Sequence, residues 1–266
     1  MQSGLHDVHQ DAMNGLTLMS NFIIPDWPAP ANVKSLMTTR LGGVSAGNFA
    51  SNNLGLHVGD DEQQVAVNRS RLRELLPGEP KWLSQVHGSA AVAAHQMHGV
   101  VQADGAWTNQ PGIVCTVLVA DCLPVLLCDR AGTVVGCAHA GWRGLAEGVI
   151  ERTLEAMQKP GSEVIAWLGP AIGAEEFEVG QDVYDAFVER DCAASVAFRH
   201  RPNGKYLADI YALARLRLQS VGVLAAYGGG YCTVTDKQRF FSFRRDKTTG
   251  RMAALIWMES VIPFPN

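Results

Sequence analysis

Apolar residues recur along this chain at two spacings, one near 3.6 residues and one of two, and these spacings mark its elements. Ala146, Val149, Ile150, Thr153, Leu154 and Met157 share one helical face, which predicts a helix from Gly144 to Met157. Glu62 to Leu76, closed by Pro77-Gly78, reads as another helix. Gln181 to Arg190 reads as a third, burying Val183, Tyr184, Phe187 and Val188. Asp209 is placed to cap a fourth, running to Ser220 with Ile210, Leu213, Ala214 and Leu218 inward. Shorter apolar runs predict strands over Val33 to Thr39, Lys81 to Val86, Ile113 to Ala120, Leu123 to Cys128, Thr133 to Ala138, Val164 to Leu168, Phe240 to Phe243 and Met252 to Met258. Helices and strands mix without a strict βαβ alternation, which favours an α+β fold over a doubly wound sheet. No internal repeat, charge block or long linker divides the chain, and Met1 to Asn14 reads as a polar tail.

Composition narrows the class. With 47% apolar and 18% charged residues, the chain suits a well-buried globular core. A formal charge of -4 gives no general attraction to a polyanion, so nucleic acid is not an expected partner. No apolar run approaches the length of a membrane span. The patch Leu16 to Ile24 lacks the positive flank of a signal segment, since the first Lys or Arg is Lys34. Six cysteines are too sparse for a disulfide scaffold, which points to the cytoplasm, where a Cys near a His binds metal or does chemistry. No G-x-G-x-x-G follows a strand and no P-loop is present, so a nucleotide cofactor on those frames is not expected.

The chemistry concentrates around one predicted hairpin. Asp129-Arg-Ala-Gly132 lies between two apolar runs and predicts a tight turn. Centred between Arg130 and Ala131, that turn sets Cys122 opposite His139, with Cβ atoms about 4.5–5.5 Å apart. At that distance a thiolate and an imidazole share one metal ion or form a catalytic Cys–His pair. A slip of one residue would put them on opposite faces. Ala140-Gly-Trp-Arg-Gly144 leads on into the predicted helix, whose free N–H groups and Arg143 make a potential anion site. His87, at a strand end in Leu83-Ser-Gln-Val-His-Gly88, is a third ligand candidate, although spacing alone does not select it over His57, His95 or His98. One Cys and two His match a zinc site with an open fourth position, the arrangement of catalytic zinc.

Leu83-Ser-Gln-Val-His-Gly88, Ala120-Asp-Cys-Leu-Pro124 and His139-Ala-Gly-Trp-Arg-Gly144 resemble the three signature segments of the YfiH-type family. Its members carry the older labels laccase-domain protein and polyphenol oxidase and are now regarded as purine nucleoside phosphorylases. Thr38-Thr-Arg-Leu-Gly-Gly-Val-Ser45, Asn53-Leu-Gly-Leu-His-Val-Gly-Asp-Asp61, Leu168-Gly-Pro-Ala-Ile-Gly173 and Phe240-Phe-Ser-Phe-Arg-Arg-Asp-Lys-Thr-Thr-Gly-Arg251 extend the likeness from about Val33 to Met258. The resemblance implies a single α+β catalytic domain over residues 15–266, with mixed β-sheets flanked by helices. That fold is also similar to the Cys–His domain of bacterial necrotising-factor deamidases. Zinc at His87, Cys122 and His139 is implied as well. So are phosphorolysis of adenosine, inosine, guanosine and methylthioadenosine, and adenosine deamination as a second activity. The chain departs from the family at Phe243, where Tyr is common, so a hydroxyl has no counterpart there.

Phosphorolysis needs a held phosphate, and Arg143 and Arg40 are its expected contacts because a guanidinium pairs with two oxygens at once. Cys122, His139 and Arg143 are the expected catalytic residues, in a monomer or small homo-oligomer whose partners are a purine nucleoside and phosphate. Two other classes stand beside this one. A copper polyphenol oxidase would use His87, Cys122 and His139 as a blue-copper site, but the chain has eight His and no His-x-His pair for a trinuclear cluster. A Cys–His hydrolase or deamidase would use Cys122 as nucleophile and His139 as base. The basic cluster Arg244, Arg245, Lys247 and Arg251 reads as a solvated hairpin face that the family resemblance also makes a candidate contributor to the pocket, and Trp142 reads as packing, with stacking on a base as the alternative.

Overall fold

The computed structural model describes residues 21–260, so the expected tail Met1–Asn14 lies outside the described residues. Strands that are apolar on both sides dictate a layered arrangement. In Met252–Met258, Met252, Ala254, Ile256 and Met258 enter one core cluster while Ala253, Leu255 and Trp257 enter another. Leu123–Asp129 divides in the same way, with Leu126 and Cys128 on one side and Leu123, Val125 and Leu127 on the other. Each such Leu, Ile or Val contributes about 1.5–3 kcal/mol by leaving water.

The resulting five-stranded sheet runs Phe22–Ile23, Val33–Thr38, Met252–Met258, Val114–Val119 and Pro80–Lys81. A six-stranded sheet runs Ala225–Gly228, Val164–Leu168, Leu123–Asp129, Val135–Ala140, Gly105–Thr108 and Ala91–Ala93. Both are mixed: Ala91–Ala93 runs parallel to Gly105–Thr108 and Val164–Leu168 parallel to Ala225–Gly228, while the central pairs are antiparallel. Met37, Val117, Val119 and Ile256 of the first sheet share a cluster with Leu126, Val135, Cys137 and Ile165 of the second, so the sheets pack face to face. Helix Glu62–Arg73 covers the outer face of the first through Leu72. Helices Val149–Met157, Gln181–Val188 and Ile210–Ser220 cover the second. This is the expected α+β fold of mixed sheets flanked by helices.

Asp209 caps its helix as expected, accepting from the N–H groups of Tyr211 and Ala212. Other expectations need correction. The helix placed over Gly144 to Met157 is two helices, Trp142–Glu147 and Val149–Met157, because Gly148 takes φ 98° and its N–H closes the first on Gly144 and Leu145. Phe240 to Phe243 is not a strand: Phe240 and Phe241 are buried anchors, and a helical turn, Phe243–Asp246, starts on the Ser242 cap. The strand placed over Lys81 to Val86 is split between Pro80–Lys81, which pairs with Val114 and Cys115, and Leu83–Ser84, which pairs with Val101 and Gln102.

The hairpin register also differs. Asp129 pairs with Val134 across a loop of Arg130-Ala-Gly-Thr133, and its carboxylate accepts from Thr133 N, Thr133 Oγ1 and Val134 N. His139 therefore pairs with Pro124, two residues beyond Cys122. A shift of two keeps every side chain on its face, so Cys122 and His139 remain on the same side as neighbours along a diagonal.

Candidate metal centre

Cys122 stands immediately before the Leu123–Asp129 strand and His139 within Val135–Ala140. His87 follows Leu83–Ser84 and takes φ 62°, a left-handed conformation rare for residues with a side chain. The ligand atoms of all three lie within 4.8 Å of one another, and Cys122 Sγ is 3.7 Å from His87 Nε2. Tetrahedral zinc, with bonds of about 2.0–2.3 Å, sets its ligand atoms roughly 3.5 Å apart, so donor set and spacing fit the ion. Gly141 permits the approach. A Cβ at that position would stand 2.9 Å from His87 Cδ2 and 3.0 Å from Cys122 Sγ.

One fully buried residue, absent from the sequence-based candidates, aims both imidazoles. Asp104 Oδ1 accepts from His139 Nδ1 at 2.7 Å and from His87 N at 3.0 Å. Its Oδ2 accepts from Gly88 N at 2.8 Å and Val86 N at 3.1 Å. The carboxylate thus clamps three successive N–H groups and fixes the left-handed turn at His87. Because an ionised carboxylate only accepts, Nδ1 of His139 carries the proton and a neutral ring turns its Nε2 lone pair toward the ligand cluster. Burial would raise the Asp104 carboxyl, but His139 and the Gly88 and Val86 N–H groups hold it below its usual value. In sequence, Ala103-Asp104-Gly105 looks like any turn.

Burial would likewise raise the Cys122 thiol, yet His139 and His87 bring it down to about 6. Burial lowers His139, and Cys122 with Asp104 more than reverses that. The metal-free pair at neutral pH is therefore thiolate and imidazolium. Iodoacetamide is expected to alkylate Cys122 of the metal-free protein at neutral pH and more slowly below about 6. Saturating zinc should block the reaction, as read by peptide mass spectrometry. Alkylation indifferent to zinc would mark Cys122 as a nucleophile instead.

Two cavities meet at Ala120, Cys122 and Phe243. The narrow one, about 220 Å³, holds His87, His139, His57, Gln85 and Arg251. Gln85 is committed to both backbone groups of Leu118. Burial first, then the charges of Arg251 and Arg69, keep His57 below the usual imidazole value. The wide cavity, about 380 Å³, is lined by Asp121, Trp142, Arg143, Phe177, Arg244 and Lys247 among others.

Arg143 is therefore brought to the site. Arg40 is not: it lines neither cavity, donates to the Ala50 and Lys237 carbonyls, and lies over the Phe241 ring. Its planar fork is spent on tying loops together, a use that sequence cannot tell from phosphate binding. The basic cluster divides. Arg245 is structural, bonded to the Thr233, Val234 and Phe240 carbonyls and to Asp246, whereas Arg244 and Lys247 line the wide cavity and Arg251 the narrow one.

Residues 34–259 match the family described as multi-copper polyphenol oxidoreductase laccase. The chain is 52% identical over 242 residues to a purine nucleoside phosphorylase of Pseudomonas aeruginosa, covering 91% of this chain and 100% of the other. It is 51% identical to the purine nucleoside phosphorylase YfiH of Escherichia coli, with 90% and 100% covered. Among solved structures, a protein of Neisseria meningitidis superimposes with a TM-score of 0.88 at 52% identity, covering 90% of this chain and 100% of that one. YlmD of Geobacillus stearothermophilus gives 0.82 at 33% identity, with 88% and 94% covered.

Proposed function

Because the chain belongs to the YfiH-type family, described as multi-copper polyphenol oxidoreductase laccase, and is half identical to relatives named purine nucleoside phosphorylase, we propose that it is a zinc-dependent enzyme of that kind. The observation that carries this is the convergence of His87, Cys122 and His139 on one point where two cavities meet. His87, Cys122 and His139 would hold zinc there, and the bound ion would supply Lewis acidity. Zinc is preferred to copper because a multi-copper oxidase needs a further histidine-rich cluster. Among the described residues this group of three is the one cluster with metal-binding geometry.

The substrates are adenosine, inosine, guanosine and methylthioadenosine. A phosphate oxygen bonds to C1′ of the ribose, the C1′–N9 bond breaks, and its electron pair leaves with the purine, which takes up a proton. Arg143, which lines the wide cavity, is the cation we assign to the phosphate. Adenosine with water giving inosine and ammonia is a second activity at the same centre. Six free thiols suit a reducing cytoplasm, and no helix of the described residues is long and apolar enough to cross a membrane.

Purified, zinc-loaded protein is expected to convert inosine and phosphate to hypoxanthine and ribose 1-phosphate, to stop on chelation and to recover with zinc. Absence of ribose 1-phosphate from the loaded enzyme refutes the assignment. One arrangement favours a second reading: Cys122, His139 and Asp104 stand in the order of a nucleophile, base and orienting acid. A hydrolase of that design has no use for His87 at 3.7 Å from the sulfur, and the alkylation test above separates the two.

A further inference from the structure

We propose that Arg143, Arg244 and Lys247 form the subsite for the phosphate in the wide cavity, which leaves the narrow cavity beside the metal ligands to the nucleoside. The assignment rests on the phosphorylase reading for its substrate and on the geometry below for its place.

Three aromatic residues line the wide cavity, and each carries a cation. Arg143 lies 4.4 Å from the Trp142 ring centre, Arg244 5.6 Å from Phe177, and Lys247 5.8 Å from Phe243. Each ring helps hold its cation at the cavity wall. The only carboxylate in the lining, Asp121, is already engaged by Thr233 Oγ1 and Arg244 N, both at 2.6 Å. Arg244 spends one nitrogen on the Glu176 and Glu178 carbonyls. Among the described residues neither Arg143 nor Lys247 has a salt-bridge partner. Three cations against one occupied carboxylate, beside Ile172, Phe177 and Ile210, suit a doubly charged oxyanion.

Backbone strain points to the same place. Among the described residues, four other than glycine have positive φ: His87, Asp121, Gln158 and Lys247. Gln158 and Lys247 each close a helix, and His87, Asp121 and Lys247 line the two cavities. Left-handed backbone at a lysine is unfavourable, and such residues gather where a side chain must be aimed. Lys247, at φ 61° where it closes the Phe243–Asp246 turn, stands in the wall of the wide cavity with its Nζ 5.8 Å from the Phe243 ring centre.

The test uses zinc-loaded enzyme carrying Lys247→Met or Arg143→Met, with Lys247→Arg as the conservative variant. Each loss of a cation is expected to raise KM for phosphate about tenfold at saturating inosine, with KM for inosine within about twofold and zinc content unchanged. Lys247→Arg should recover most of the phosphate affinity. In parallel, binding of inorganic phosphate alone is followed by 31P NMR on the same proteins. Phosphate KM and phosphate binding that are unchanged in both Met variants overturn the subsite, as does an equal rise in both KM values. If wild type makes no ribose 1-phosphate but its phosphate binding is lost in both Met variants, the phosphorylase reading fails and the anion subsite stands.

Discussion

Cys122→Ala is expected to leave the protein folded, without zinc, and about a thousandfold slower in inosine phosphorolysis. Removing the sulfur leaves two imidazoles to hold the ion, one fewer than the three protein ligands of a catalytic zinc site. The rate figure follows from the several kcal/mol of charge stabilisation that a Lewis-acidic ion supplies, at 1.36 kcal/mol for each factor of ten. Cys122 is half-buried at the junction of two cavities, so truncation opens existing space and leaves no sealed void. Its effect on stability should stay within about 1 kcal/mol, in contrast to a truncated core residue. Zinc stoichiometry and kcat are to be measured on the same preparation. Loss of both supports the ligand role. Zinc retained with activity lost would make the thiol a nucleophile, and both retained would remove Cys122 from the mechanism.

How much of this was legible in the sequence differs by element. Helix periodicity and the Asp209 cap survive because they are local, and the buried strands survive because residues apolar on two faces have few other options. Sequence spacing pairs the cysteine and histidine on a two-residue turn, whereas the chain forms a four-residue loop. Their juxtaposition held only because Asp129 stabilises a loop longer by an even number. His87 lies 35 positions before Cys122 and reaches it through a backbone conformation that spacing cannot express; the family likeness, not the pattern, selected it. Arg40 and Lys247 differ in what surrounds them: Arg40 is tied to carbonyls, and Lys247 stands at a cavity wall. A guanidinium tied to carbonyls and a free ammonium at a cavity wall look alike in a row of letters, since the difference is which acceptors the fold brings near. Asp104 was invisible for the same reason: its partners are three backbone N–H groups and one ring nitrogen, none of them encoded by side-chain type except the last.

For that residue the informative change is Asp104→Asn, expected to weaken zinc binding about 10–100-fold while kcat recovers at saturating zinc. Alanine is the wrong probe. It would leave the buried Nδ1–H of His139 without its acceptor, at about 1–3 kcal/mol, and release three part-buried N–H groups, enough to loosen the His87 loop before any chemistry is tested. Asparagine keeps the shape and one acceptor, but its amide nitrogen must face two donors whichever way it turns. Turned toward His139, it forces Nδ1 to accept, moves the ring proton to Nε2 and removes the lone pair that points at Cys122 and His87. Turned the other way, it opposes the Val86 and Gly88 N–H groups and loosens the φ 62° turn that presents His87. Either orientation costs metal affinity through a different histidine, and the pH dependence distinguishes them. Loss through the His139 tautomer should make zinc affinity less dependent on pH, because without the carboxylate less of His139 is imidazolium and zinc displaces less of its Nε2 proton. Loss through the His87 loop should leave that dependence nearer to wild type, because the amide oxygen still accepts from His139 Nδ1. Unchanged zinc affinity in Asp104→Asn would show that the clamp serves folding alone and that the two imidazoles need no aiming.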